Sequence, residues 1–434
     1  MLVQITTTPP LAELTLTAEQ PWHHIVPGNP TVLLLLEGSR IYAFPEGTAL
    51  KANELSDLLA ETARQPPPVR FERQPSALSL NIAQSCNLAC SYCYADEGRF
   101  GGEPQMMSLE TALAAIRRHI SESSAKAVSV GFIGGEPVLN RDVLHRSVQF
   151  ASREAERKGI EITFGITTNG TLLEESDLKL LRAHRFAVTV SMDGDRETHD
   201  QLRTTRRGQP SFAKAIARIS PLLTQPGLAN IAARVTVTRR NLDVSSHIDA
   251  LVAIGFSEIG VSPLRTGPDH SLCLRDSDWS SLLSAMILAA SHEWERARIS
   301  KLPLRFSNLA VALKQLHRGS SQTLPCGSAA SYVSLSAEGR YYTCHRTVGD
   351  PSLELGDLKS GPSVASRRRF VESRHVENQE PCRSCWARYL CGGGCHAEVL
   401  QVGRGGCDYI RGWLEYCIAL YPQVLTHRPD LLAT

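Results

Sequence analysis

Cys86-Asn87-Leu88-Ala89-Cys90-Ser91-Tyr92-Cys93 follows a short apolar run, Leu78-Ser79-Leu80-Asn81-Ile82. That run has the length of a buried strand, and the cysteines lie just beyond its end. Three thiolates this close can hold three irons of a cubane cluster and leave the fourth iron without a protein ligand. A structural zinc or iron–sulfur site closes with four protein ligands, so a set of three points to a metal that binds and activates a small molecule. A zinc knuckle, or three unrelated thiols, would use the same residues without that chemistry.

Working outward, apolar runs alternate with helical patterns from about residue 76 to 265. Strands are expected at Leu78–Ile82, Ala127–Ile133, Ile162–Thr167, Ala187–Met192, Ile231–Thr238 and Ile259–Leu264. Helices are expected near Ser108–Ser123, Arg141–Lys158, Glu174–His184, Ser211–Leu223 and Ser245–Ala253. Repeated βα units predict an α/β fold with right-handed crossovers, here a partial (β/α)6 TIM-like barrel over 76–300. Ligands then gather at the C-terminal strand ends, where the cysteine run sits. A further helix is expected over Ser277–Arg298. Residues 1–70 read as a small α+β unit, with a hairpin (Val32–Leu36, Ile41–Phe44) and a helix (Asn53–Ala63). The prolines at 66–68 then form a linker.

Composition sets the outer limits. At 42% hydrophobic and 21% charged, the chain can bury a core, and a net charge of +2 makes no case for a nucleic-acid partner. No run approaches the ~18 apolar residues of a membrane span, and the chain does not open on a secretion signal, so a cytoplasmic location is expected. Arg367-Arg368-Arg369 reads as a solvated helix face. His23-His24, without a third ligand nearby, reads as a pair of structural histidines. Three of the twelve cysteines lie at 86–93, eight between Cys326 and Cys417, and Cys273 stands alone as a structural thiol. Clustered thiols in a reducing compartment imply metal rather than disulfides.

Glycine-rich turns close the other expected strands: Gly134-Gly135-Glu136-Pro137, Thr168-Asn169-Gly170 and Ser191-Met192-Asp193-Gly194, with His199-Asp200-Gln201-Leu202-Arg203 beyond. Singly they are ordinary turn chemistry. Together with the CxxxCxxC spacing, and Tyr92 before its last cysteine, they resemble the radical S-adenosylmethionine (SAM) enzymes. The distal pattern Cys326, Gly339, Cys344, Cys382, Cys385, Cys391, Cys395 over 320–434 resembles the SPASM domain, which carries two auxiliary iron–sulfur clusters. The resemblance implies that Cys86, Cys90 and Cys93 hold a [4Fe–4S] cluster whose free iron binds SAM. It assigns SAM contacts to Tyr92, Gly134, Gly135, Glu136, Asn169, Ser191 and Arg203, with Arg206 or Arg234 as stand-ins for Arg203. It also places Cys326, Cys344 and Cys395 on an inner auxiliary cluster and Cys382, Cys385 and Cys391 on an outer one. Cys407 is expected to close one cluster. Cys417 is expected either to close the other or to be structural, in which case the inner cluster keeps an open iron.

SPASM enzymes modify peptides or proteins. Sulfatase-maturing members typically place an aspartate base after the second SPASM cysteine, where this chain has His345. That departure argues against formylglycine formation, and the Cys344-His345-Arg346 run looks more like maturases that crosslink ribosomal precursor peptides by thioether or carbon–carbon bonds. Residues Cys407–Trp413 are similar to the maturase of quinohemoprotein amine dehydrogenase. His345, Asp193 and Asp408 are the candidate proton acceptors. The expected partners are a precursor peptide or protein, held in part by a leader-recognition module within 1–70, and an electron donor such as flavodoxin or ferredoxin. The alternatives are radical oxidation, epimerisation or excision on a peptide, sulfatase-type formylglycine maturation and, outside enzymes, a zinc-stabilised binding protein.

Overall fold

A computed structural model describes residues 23–45 and 71–433. The expected helix Asn53–Ala63 and the proline linker lie outside the described residues. The expected hairpin is present as part of an antiparallel sheet, β1 (His23–Val26), β2 (Thr31–Leu35) and β3 (Arg40–Phe44). Side chains alternate across it with the period of two that strands impose. Val32, Leu34 and Ile41 join the main core, while Leu33, Leu35 and Phe44 form a separate apolar cluster. The sheet is tied to the far end of the chain: His24 Nε2 lies 2.9 Å from Glu415 Oε1, and its ring stacks on Trp386 with centroids 3.8 Å apart.

The second sheet has ten strands. Six parallel strands arise where the alternation predicts them: β4 (Ala77–Gln84), β6 (Ala127–Gly134), β7 (Glu161–Thr168), β8 (Phe186–Ser191), β9 (Asn230–Val237) and β10 (Ile259–Pro263). They lie side by side in that order, with a two-residue strand β5 (Gln105–Met106) paired to β4. Each crossover carries a helix whose apolar stripe covers the sheet; Ala112, Ala115, Ile116 and Ile120 of Leu109–Glu122 are all buried. Local signals set the helix ends: the Ser108 side chain accepts from Thr111 N, and Arg141–Lys158 stops at Gly159, whose φ of 72° suits a residue without Cβ. The helices Trp279–Ser300 and Ser307–Arg318 follow β10. The second is not among the expected helices, although Leu309, Ala312, Leu313 and Leu316 follow helical spacing.

The cysteine-rich segment does not stand apart from the barrel. Its strand β11 (Tyr332–Leu335) pairs in parallel with β4, and β12 (Arg340–Tyr342) and β13 (Glu354–Asp357) extend the sheet antiparallel. Buried Asn81 on β4 fastens this seam, donating to Ser334 Oγ at 2.8 Å and to the Leu335 carbonyl at 3.1 Å. Boundaries at 300 and 320 therefore divide the sequence while one sheet runs across them.

The Arg367 expectation is corrected. Rather than facing solvent, this side chain is wholly buried and donates to the carbonyls of Glu72, Arg73, Ala329 and Ala330 at 2.7–2.9 Å. Burial pushes its guanidinium down to about 10. Among the described residues no helix is long and apolar enough to cross a membrane.

Candidate active site

The C-terminal ends of the parallel strands open into a cavity of about 400 Å³. Cys86, Cys90 and Cys93 line it, directly after β4, together with Gly134 and Gly135 from the end of β6. Asn169 follows β7 on the same wall, and Ser191 ends β8. Burial pushes the Cys86 thiol up to about 12 and the Cys90 thiol to about 11, and the nearby Cys93 sulfur adds to both. Thiols so disfavoured as bare thiolates are held better by a cation, which metal coordination supplies.

The paired glycines are explained by packing. A Cβ on Gly134 would lie 2.2 Å from the Ala83 carbonyl oxygen, and one on Gly135 would lie 2.3 Å from the Ser85 oxygen and 2.9 Å from Cys86 Cβ. Only bare backbone can run this close to the cysteine loop. Glu136, expected at SAM, is corrected: it does not line the cavity but is completely buried behind it. Its carboxylate accepts from Thr168 Oγ1 and Asn169 N at 2.7 Å and from Val138 N at 3.1 Å. Burial raises it to about 6 against these donors. Glu136 thereby sets Asn169, whose Nδ2 donates to Asn87 Oδ1 at 3.0 Å and lies 3.8 Å from Cys86 Sγ.

Tyr92, Asp193 and Arg203 form one buried group. The Tyr92 hydroxyl donates to Asp193 Oδ2 at 2.5 Å and accepts from Arg203 Nη1, and Arg203 Nη1 lies 3.9 Å from the Asp193 carboxylate. Asp193 Oδ1 also accepts from Thr236 N at 2.9 Å. With its oxygens so committed, and absent from the cavity lining, Asp193 is not placed as a proton acceptor for a substrate. Arg203 reaches the wall with its charge already paired. Arg234 is the freer guanidinium: exposed on β9 into the cavity, with Ser262 Oγ at 3.5 Å. Gly260 leaves its space, since a Cβ there would lie 2.7 Å from Arg234 Nη1. Arg206 pairs instead with Glu97.

The distal segment supplies the opposite wall through His345, Arg346 and Glu398. His345 Nδ1 sits 3.0 Å from the Tyr332 hydroxyl, and burial, with Arg346 beside it, pushes the ring down to about 4. The imidazole is thus neutral at neutral pH, with roughly the proton affinity of a carboxylate but without the charge. Arg346 lies over the Tyr94 ring and donates to Glu398 Oε1 at 2.6 Å. Arg346 belongs to the Cys-His-Arg run, but nothing in the sequence marks Tyr94, Arg265 or Glu398. Asp408 is corrected: it is 96% exposed in the first turn of helix Cys407–His427, paired with Arg411.

The remaining cysteines form two sets. Cys382, Cys385, Cys391 and Cys407 line one cavity, where burial and the neighbouring sulfurs raise the Cys382 and Cys391 thiols. Cys326 and Cys344 form the other with Cys395, the first two thiols raised chiefly by burial and further by their cysteine neighbours. Buried donors without partners lie beside both sets. Arg374 Nη2 has none and feels Cys382 and Cys395, and His396 Nε2 has none beside Cys395. Cluster sulfides would accept from such donors, so the residues fit two iron–sulfur clusters. The ligand expectation for Cys417 is corrected, because that thiol is fully buried in apolar surroundings and raised by burial alone.

Residues 80–220 match the Radical SAM superfamily model. The cysteine-type anaerobic sulfatase-maturating enzyme of Clostridium perfringens (strain 13 / Type A) is 32% identical over 341 residues, covering 74% of this chain and 89% of that protein. The radical SAM cyclopropyl synthase TigE of Paramaledivibacter caminithermalis is 22% identical over 381 residues, covering 82% and 76%. The fold is also that of native anSMEcpe with bound AdoMet and Cp18Cys peptide, with a TM-score of 0.66 at 20% identity, covering 82% of this chain and 99% of that one. Three cysteines at the mouth of a parallel barrel, two distal cysteine sets and these likenesses have one account: the chain is an enzyme of the radical SAM superfamily, in the group of the anaerobic sulfatase-maturating enzymes.

Proposed function

We propose that this enzyme removes two hydrogens from one residue of a peptide or protein substrate, in the manner of the sulfatase-maturating group. One observation carries the reading: the Cys86–Cys93 loop and His345 and Arg346 of the distal segment share one cavity. A side chain entering between them would meet the SAM site on one side and a neutral imidazole on the other. When bound, the first cluster and SAM supply a 5′-deoxyadenosyl radical able to take hydrogen from an unactivated carbon. In this reading Cys86, Cys90 and Cys93 hold the cluster, the Gly134–Gly135 backbone and Asn169 position the cofactor, and Arg234 faces its carboxylate. His345, oriented by Tyr332, accepts the proton that leaves with the second electron. In the same reading the clusters on the two distal cysteine sets would take that electron.

A crosslinked product is the second reading. It is favoured by His345 standing where sulfatase-maturing members typically place an aspartate, and TigE, a cyclopropyl synthase, is among the relatives. The test is anaerobic reconstitution with dithionite, SAM and short peptides carrying one cysteine or serine. Formation of 5′-deoxyadenosine is expected, with a peptide product that reacts with a hydrazide. A product lacking two hydrogens, inert to hydrazide and resistant to fragmentation, would establish the crosslink instead. Protein loaded with about twelve irons that never cleaves SAM would sink both readings. His345→Ala is expected to slow peptide oxidation about 10²–10³-fold, with His345→Asp restoring much of it and SAM cleavage surviving in both.

A further inference from the structure

The cysteine loop is zipped to the segment that leaves helix Arg196–Leu202. Leu88 bridges Thr205 antiparallel, Ala89 N donates to the Thr204 carbonyl at 2.8 Å, and Ser91 N donates to the Leu202 carbonyl at 3.0 Å. In that register Cys90 stands directly opposite Arg203, as the pair between the two hydrogen bonds. Opposed residues of this kind form the closer of the two antiparallel pairings, and their side chains project to the same side. The middle thiol of the loop therefore has a guanidinium as its cross-strand neighbour.

That guanidinium is held in place. Its Nη1 donates to the Tyr92 hydroxyl, the hydroxyl donates to Asp193 Oδ2 at 2.5 Å, and Asp193 Oδ1 accepts from Thr236 N at 2.9 Å. At the backbone, Arg203 N donates to the His199 carbonyl at 2.8 Å, and the Arg203 carbonyl accepts from Ser211 Oγ at 2.5 Å. The Arg203 side chain is only 9% exposed, yet its buried Nε has no hydrogen-bond partner. Buried donors are normally satisfied, and opposite Cys90 the acceptor to expect is a cluster thiolate or sulfide. Tyr92, Leu202, Leu264 and Leu272 form an apolar cluster against which Cys90 packs, so water screens little of the charge.

We infer that Arg203 sets the reduction potential of the first cluster, its fixed charge and free Nε–H standing against Cys90 to favour the reduced state. Reduction adds one electron, supplied by an external donor, and neither forms nor breaks a bond. The added negative charge is stabilised by a neighbouring cation more than the oxidised state is. Asp193 works in the opposite sense, because its carboxylate lies 3.9 Å from Arg203 Nη1 and offsets part of that charge. Arg203 is thus assigned to the cluster, and the SAM carboxylate is left to Arg234. The inference concerns the first cluster of the family and does not depend on which product the enzyme makes.

The experiment is a redox titration of full-length, reconstituted enzyme followed by EPR, the first cluster being identified as the part of the reduced spectrum that SAM alters. At the wild-type midpoint, Arg203→Gln is expected to lower the reduced-to-oxidised ratio about tenfold, a shift of about 59 mV for one electron. Asp193→Asn frees the cation and is expected to raise the same ratio, while Arg203→Lys should recover most of the loss seen in Arg203→Gln. SAM affinity is measured by equilibrium dialysis on oxidised enzyme. Arg234→Gln is expected to weaken it about tenfold without moving the potential, whereas Arg203→Gln should leave it near wild type. Opposite shifts in Arg203→Gln and Asp193→Asn are a signature that mere loosening of the loop would not produce. Iron content, expected to stay at about twelve per chain, reports on the loop. The inference is overturned if iron-replete Arg203→Gln keeps the wild-type ratio, or if it weakens SAM binding about tenfold at an unchanged ratio. Should Arg203→Gln lose iron, Asp193→Asn decides, and a ratio at or below wild type there overturns it too. Peptide oxidation enters none of these readouts, so failure of the proposed function would be seen separately.

Discussion

Several buried polar residues determine how this molecule responds to its surroundings, and His119 gives the cleanest test. Its ring lies in the core with Nε2 at 3.2 Å from the Ser129 carbonyl, and burial pushes its pKa down to about 4. In the unfolded chain the same ring titrates near ~6.5. Between those values the unfolded state takes up a proton that the folded state refuses. The stability contribution is therefore complete above ~6.5 and is lost as pH falls toward 4, by about 3 kcal/mol in all. Denaturant unfolding of wild type and His119→Gln at about pH 7.5 and about pH 5 should show the gap between them narrowing by about 2 kcal/mol. A constant gap would mean that the ring is protonated in the folded protein. Glu136 makes a related point about legibility. Its place in a Gly-Gly-Glu-Pro run announced the site, but only the fold shows its carboxylate behind the wall, holding Thr168 and Asn169.

At the level of elements, strand ends and loops explain why the site tolerates so little change. The β6 terminus is pressed against the end of β4, so Gly135→Ala would drive a methyl group to 2.3 Å from the Ser85 oxygen and push on the loop that starts at Cys86. Overpacking of this kind costs about 1–3 kcal/mol locally. The expected result is loss of about four of about twelve irons on reconstitution, with both distal clusters retained. Gly102→Ala is the control, since its nearest non-neighbouring atom is an ordinary 3.6 Å away. Equal iron loading in the two variants would remove the steric account. The six parallel strands and their helices were legible because apolar runs and helical stripes are local patterns. The helix Ser307–Arg318 carries the same kind of stripe, but it is short and runs directly into the cysteine-rich segment.

Across the whole molecule, the distal cysteine-rich segment and the barrel are held as one body. Arg367 is the clearest fastening, with four carbonyls from two distant stretches converging on one buried guanidinium. Arg367→Met keeps most of the volume and removes every donor, leaving the buried Ala329 carbonyl unpaired while Ala330 keeps only the Glu72 N–H. A loss of about 3–5 kcal/mol is expected in denaturant unfolding, with partial recovery in Arg367→Lys. An unchanged midpoint would show that those carbonyls reach water. The same joining of distant stretches sets His345 opposite Cys86 and ties β1 to helix Cys407–His427 through His24 and Glu415.

Local order alone determined the element sequence, the three-cysteine loop at a strand end and the two distal cysteine groups, because hydrophobic period and ligand spacing are properties of neighbours in the chain. Pairing across hundreds of residues was decided in three dimensions. β11 beside β4, Arg367 inside rather than on a solvated face, and Cys417 in apolar core instead of at a metal all depend on what packs against each side chain. Whether a charge or a thiol meets solvent, metal or core is set by that packing, which spacing along the chain does not encode.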